Sequence, residues 1–320
     1  MAIVTESQDR VGAGVSPAST STPAIQTIDL VKRYRTTTAL AGLSITAPRG
    51  EVFGFLGPNG AGKTTAVKLL LGLTRPTGGE GFVLGAPLGD RATRRRVGYL
   101  PELFRYQDWL SAREVLALHW ALAGVPRADR VAEIDEALRT VGLAARAGDR
   151  VGTFSKGMQQ RLGLGVALLG RPDLVLLDEP TSALDPVGRH DVREIIHALK
   201  RRGATVFLNS HLLTEVEHVC DRVAIVNFGR VIAMGTMGEV LGETDVVRLR
   251  VTGLTRDGED ALGRFGEVWR EEGWYVVRGL AADDVPGLVA EVVRLGGRVY
   301  AVEPRHQSLE DRFLELLSRE

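Results

Sequence analysis

The stretch GPNGAGKTT, Gly57 to Thr65, decides the fold. It fits the phosphate-cradle pattern G-x-x-x-x-G-K-[ST] through Gly57, Gly62, Lys63 and Thr64. An apolar run, EVFGFLG, leads into it, and a helical pattern, TTAVKLLLGL, leads out. A loop feeding a helix N-terminus must turn tightly while its backbone N–H groups converge on one anion. Glycine permits those dihedrals and that close approach. The helix end adds roughly half a positive charge. Lys63 brings a mobile full charge to the β- and γ-phosphates, and Thr64 a hydroxyl for Mg²⁺. Asn59, Gly60, Ala61 and Thr65 complete the cradle. The chain has five lysines among 40 basic residues, so a lysine in this slot is informative.

Working outward, short strand-like runs at Ile25–Leu30 and Leu43–Thr46 precede the cradle. Residues 104–170 read as mostly helical. Ser111 and Glu114 stand at capping-box spacing, and RVAEIDEALRTVGL carries apolar residues at helical intervals. Then strands and helices alternate: LVLLD from Leu174, VGRHDVREIIHALKRRG, TVFLNSH, LLTEVEHVCD and RVAIVNFG. Strands apolar at every position, separated by helices, indicate a parallel sheet covered on both faces. Past about Gly242, strand-like VVRLRVTGL, WYVVRGL and RVYAVEPR mix with two helical segments, the second opened by Ser308 and Asp311. This reads as a small α+β unit without a chemical motif. No long internal repeat is present.

Two strand ends carry acid–base candidates. LVLLDEP places Asp178 and Glu179 at the carboxyl edge of a buried strand, where ligands bind in open α/β sheets. Two adjacent carboxylates there repel one another without a cation. Asp178 suits a Mg²⁺ held through water, and Glu179 the water that attacks a phosphate. TVFLNSH delivers His211 to the same edge, whereas His119, His190, His197, His218 and His306 are read as structural.

The bulk numbers exclude other classes. Hydrophobic residues make up 44%, enough for a large core. Basic and acidic residues balance at 40 each, which argues against a dedicated nucleic-acid binder. The Arg94–Arg96 run reads as a solvated face. A lone Cys220 forms no internal disulfide and suits a reducing compartment. No window is long and apolar enough to span a bilayer. The N-terminal stretch lacks the apolar centre of a signal peptide and reads as a disordered tail over residues 1–24.

FSKGMQQR, from Phe154, places Ser155, Lys156, Gly157, Met158 and Gln159 at a second helix start, almost a hundred residues past the cradle. Ser155 and the Gly157 backbone there make another anion-binding tip. GPNGAGKTT, FSKGMQQR, LVLLDEP, SALD and NSH follow the order of ATP-binding-cassette (ABC) ATPases, which the chain resembles closely over about residues 25–240. Within that family it is most similar to the ATPase subunits of the bacterial daunorubicin-resistance type of drug and antibiotic export. The resemblance implies a P-loop ABC core over 25–242 with a helical signature subdomain at about 104–170, and a small α+β domain over 243–320. It implies ATP and Mg²⁺ as ligands, Tyr34 stacked on adenine, Glu179 as general base and His211 as a γ-phosphate switch. Thr64, Asp178 and Glu102 would hold the metal. The FSKGM tip would face ATP held by a second copy or a homologous subunit, with Asp185 of SALD crossing the interface. A separate membrane permease, served from the inner face of the membrane, would complete the transporter, with Leu103, Phe104 and Trp109 near the docking surface. The sequence departs from the family where Glu102 replaces a frequent Gln and Lys156 a frequent Gly.

Rival readings stay open at this level. A soluble ABC mechanoenzyme usually carries two cassettes or long coiled coils, neither present here. A P-loop kinase would need neither FSKGMQQR nor SALD, and an ATP-gated binding module would not need Glu179. The transported compound is not encoded in this chain.

Overall fold

The computed structural model describes residues 22–124, 130–182, 184–241, 246–271, 273–305 and 308–318. The expected N-terminal tail up to residue 21, Gly242 and His306 lie outside them. Strands β1 (Ile25–Tyr34), β2 (Thr37–Leu43), β3 (Thr46–Ala47) and β4 (Val52–Leu56) lead to helix α1 (Lys63–Leu70). There follow β5 (Gly78–Val83), β6 (Ala86–Pro87), α2 (Arg91–Arg94), β7 (Val97–Leu100), α3 (Ala112–Ala123), α4 (Arg130–Thr140) and α5 (Lys156–Ala167). Next come β8 (Leu174–Asp178), α6 (Pro186–Arg201), β9 (Thr205–Asn209), α7 (Leu213–Val219), β10 (Arg222–Asn227), β11 (Arg230–Thr236) and α8 (Met237–Leu241). The last elements are β12 (Val246–Thr252), α9 (Arg256–Ala261), β13 (Glu267–Glu271), β14 (Trp274–Arg278), α10 (Val285–Arg294), β15 (Arg298–Arg305) and α11 (Leu309–Ser318).

The central sheet runs β11-β10-β4-β9-β8-β7, parallel except for the edge strand β11. Every residue of β4, β8 and β9 is buried. Alternation divides each strand between two cores. Val52 and Leu56 point into one with α5 and α6; Phe53 and Phe55 point into the other with α1. In the second core the Phe207 ring lies 5.8 Å from Phe53 and 5.3 Å from Phe55. Each such ring contributes roughly 1.5–3 kcal/mol through burial. The parallel register sets Phe55 and Asp178 opposite Asn209, so the β4, β8 and β9 loops emerge along one edge. That edge positions the site.

A second sheet, β2-β1-β5-β6 with β3 on β1, is antiparallel. Here the structure corrects the sequence reading. The first strand extends through Tyr34, with two register shifts against β2. The expected strand at Leu43–Thr46 is instead the end of β2 and the start of β3. Thr37–Leu43 has no apolar alternation to mark it as a strand; pairing along β1 supplies what its periodicity lacks. Glycine-rich β5 was unread for the same reason, as was the charged edge strand β13.

In the helical segment, Ser111 and Glu114 form the expected capping box on α3. Trp120 Nε1–H on α3 donates to Glu133 Oε2 on α4 (3.2 Å). Cys220 is buried, as expected of a small apolar residue. Leu103 and Trp109 are 86% and 71% exposed, while Phe104 packs against the core. Arg94, Arg95 and Arg96 are exposed, and Arg96 pairs with Asp173 (2.7 Å).

Elements β12 to β15 form an antiparallel sheet in the order β13-β14-β12-β15, a split βαβ arrangement with α9 and α10. Its core is separate and includes Val247, Leu249, Leu262, Leu288 and Val292. Helix α11 belongs to neither this sheet nor its core: Leu309 is buried within the main one. No helix among the described residues is long and apolar enough to cross a membrane.

Candidate functional site

The carboxyl edge of the central sheet opens into a cleft of about 620 Å³. The Gly57–Thr65 loop forms its floor, with Asn59, Gly60, Gly62, Lys63, Thr64 and Thr65 among its walls. Gly57 has no room for a side chain, since a Cβ would lie 2.3 Å from the Val226 carbonyl oxygen. Gly62 has φ +102° and would place a Cβ 2.4 Å from the Ala39 oxygen. Both glycines are therefore demanded by the fold as well as by an incoming anion. Ala61 is buried beneath the loop. Lys63 opens α1 and donates from Nζ to the carbonyls of Gly57 (2.5 Å) and Pro58 (3.2 Å). Burial lowers its pKa, against the opposing charges of Glu179, Asp178 and Glu102.

Asp178 ends β8 and Glu179 follows it, in different environments. Burial raises the pKa of both. Asp178 Oδ1 accepts from Asn209 Nδ2–H (2.5 Å). Glu179 takes φ 53°, in the left-handed region that non-glycine residues seldom adopt. Its N–H donates to the Asn209 carbonyl (2.8 Å), and Oε2 stands 2.7 Å from His211 Nδ1. The left-handed turn thus aims the second carboxylate into the cleft while the first stays behind it. Such strain gathers at functional sites. Glu102 and His211 also line the cleft.

The donor set suits a hard cation. Thr64, Asp178 and Glu102 offer oxygen only, and the buried Asn209 Oδ1 beside Asp178 has no protein donor. Among the described residues no three acidic, His or Cys side chains converge on a ready-made metal cage. That agrees with Mg²⁺, which is held by one or two carboxylates together with substrate phosphates.

Other expected residues lie elsewhere. Tyr34 ends β1, 44% exposed, with Lys32 Nζ 4.8 Å from its ring centroid; it is not among the cleft-lining residues. Ser155 caps α5 by accepting from Met158 N–H (3.2 Å), and Gln159 Nε2 donates to the Phe154 carbonyl (3.4 Å). Ser155, Lys156, Gly157, Met158 and Gln159 all stand outside the cleft. Gly157 differs from the cradle glycines: a Cβ there would approach nothing nearer than Leu184 Cδ2 at 3.8 Å. Asp185 caps α6 by accepting from Gly188 N–H (2.8 Å) and is exposed.

Sequence reasoning missed four contributors. Asn209 bridges both acids. Buried Gln160 donates to the Pro180 carbonyl (2.9 Å), tying α5 to the Glu179 turn. Leu213 and Phe313 are the large apolar side chains of the cleft, the latter from α11. Position at the end of a buried strand was a usable signal for Asn209. Nothing in the spacing announced Phe313.

The arrangement offers a glycine loop suited to a polyphosphate and sets a buried carboxylate beside it. Comparison with known proteins agrees. The family model described as ABC transporter matches residues 40–182. An uncharacterized ABC transporter ATP-binding protein of Nostoc sp. is 41% identical over 311 residues, covering 94% of this chain and 92% of that one. The daunorubicin/doxorubicin resistance ATP-binding protein DrrA of Streptomyces peucetius is 38% identical over 234 residues, 72% of this chain and 71% of its own. A solved ATP-binding subunit of an ABC transporter superposes with a TM-score of 0.62 at 32% identity, covering 68% of this chain and 91% of the other. By these identities over most of its length, together with the glycine loop and the parallel sheet, the chain belongs to the ABC transporter ATP-binding family and is an ATP-hydrolysing subunit of that kind.

Proposed function

We propose that this chain energises a separate membrane permease that exports a drug, antibiotic or lipid-like compound, and that two ATPase chains close head-to-tail around ATP. One observation carries the head-to-tail arrangement: the cradle and the FSKGM tip are both built for anions, yet the tip lies outside the cradle's own cleft. Gly157 has space to spare within its own chain, so its lack of a side chain serves a group arriving from outside. A second copy, or a homologous subunit, supplies the missing half. Similarity to resistance-type relatives supports export.

In this reading the cradle and Lys63 grip the β- and γ-phosphates, and Tyr34 stacks its free face on adenine. Thr64, Asp178 and Glu102 hold Mg²⁺, which when bound neutralises charge on the phosphates. Glu179 takes a proton from water as the water oxygen attacks the γ-phosphorus and the bond to the β-phosphate oxygen breaks, leaving ADP and phosphate. His211 orients Glu179 and contacts the γ-phosphate. Ser155, Lys156 and the Gly157 N–H act on the partner's nucleotide, and Asp185 crosses between subunits. Exposed Leu103 and Trp109 offer apolar contact to the permease. The ATP-binding unit is assigned to residues 25–242, with the helical subdomain at about 104–170, and the smaller unit to residues 243–320, except that its last helix, α11, packs on the ATP-binding core. The subunit works at the inner face of the membrane.

The test is co-expression with candidate permeases, measuring ATP turnover in proteoliposomes. Stimulation that disappears on Trp109→Ala and Leu103→Asp supports the reading. Full turnover by a strictly monomeric chain, with Ser155→Ala silent, defeats it.

A further inference from the structure

Helix α11 is the last described element, yet its apolar face is buried in the ATP-binding core. Leu309, Phe313 and Leu316 follow helical spacing; the first is fully buried there and the other two pack against it. Two hydrogen bonds fix the helix: Leu309 N–H donates to Glu217 Oε2 of α7 (3.1 Å), and Arg312 Nε donates to the Val240 carbonyl of α8 (3.0 Å). Ser308 caps its start by accepting from Asp311 N–H (3.1 Å). Phe313 thereby reaches the wall of the phosphate cleft together with Leu213. Leu213 is the first residue of α7, two positions past His211. Helix α7 has seven residues and no side-chain cap at its start, so packing carries the placement of its first turn.

The geometry points to Phe313 as a positioning residue for hydrolysis. Its ring, anchored by α11, braces the beginning of α7 and so holds His211 Nδ1 at 2.7 Å from Glu179 Oε2. The same ring covers that flank of the cleft. A helix contiguous in sequence with the C-terminal unit thus forms part of the ATPase machinery. This inference rests on the proposed roles of Glu179 and His211. Removing the ring leaves the cradle intact but frees the His211 turn, so the loss falls on turnover rather than on nucleotide binding.

The experiment is steady-state ATP hydrolysis by the full-length chain, with thermal unfolding of the same samples. Phe313→Ala is expected to lower kcat about tenfold while KM for ATP stays within about twofold. Phe313→Tyr, which keeps the ring, is expected to restore kcat to within about twofold of the parent. Leu314→Ala, whose side chain points outward at 60% exposure, leaves kcat unchanged. Parental kcat in Phe313→Ala, or a loss confined to KM, overturns the inference. If that variant does not fold, Phe313→Ile carries the test on the same readouts: reduced kcat at constant KM supports it and parental kcat overturns it. Glu179→Gln separates the two levels. Turnover retained in Glu179→Gln sinks the assignment of the base; turnover lost there but retained in Phe313→Ala sinks only the role of the ring.

Discussion

Glu179 is subject to opposing influences. Burial favours its protonated form, while His211 favours the carboxylate through charge and hydrogen bonding. Burial prevails, so the proton leaves at a higher pH than from a free glutamate. In its proposed role of general base Glu179 works deprotonated, so kcat should fall as pH drops through this raised pKa. The acid limb of the pH–kcat profile should lie above the ordinary glutamate range. His211→Ala removes the opposing influence and should move the limb further up; a limb that stays put or moves down would exclude the pairing. Glu179→Gln should lower kcat by about 10²–10⁴ while ATP affinity, measured by equilibrium dialysis, changes little. The residue types of this site were legible because strand ends and a glycine loop announce chemistry by position. The left-handed backbone that separates the roles of Asp178 and Glu179 was not, since nothing in DEP specifies it.

Among elements, the cradle loop and the FSKGM tip, both proposed to bind anions, differ in why they contain glycine. Gly57→Ala forces a Cβ onto the Val226 carbonyl and should destabilise the chain by about 2 kcal/mol or more. Gly157→Ala meets no such obstacle, and the melting temperature should hold while ATPase activity falls. A thermal melt and an activity assay on both variants decide this; Gly157→Ala with parental activity would remove the case for an incoming partner. Ser155→Ala removes the cap of α5 at a cost of about 1 kcal/mol. Its activity should fall further than so small a destabilisation explains. Strands buried on both faces were readable from unbroken apolar runs. Strands β2 and β5 were not, because cross-strand pairing can recruit threonine and glycine segments that lack a period of their own.

For the whole molecule, Glu179→Gln with Mg-ATP should shift light scattering to twice the monomer mass, and EDTA should reverse the shift. A single-chain mass under all nucleotide conditions would remove the sandwich. Sequence alone determined the core of this protein, because the P-loop, the buried strands and the second helix tip are local patterns whose chemistry is complete within a few residues. Tertiary structure alone decided that the FSKGM tip stands apart from its own cradle. It also decided that Glu179 meets His211 while Asp178 meets Asn209, and that a C-terminal helix supplies part of the cleft wall. Those facts depend on the register of β8 against β9 and on the return of α11 over α7, contacts between residues 31 to 92 positions apart that no periodicity along the chain encodes.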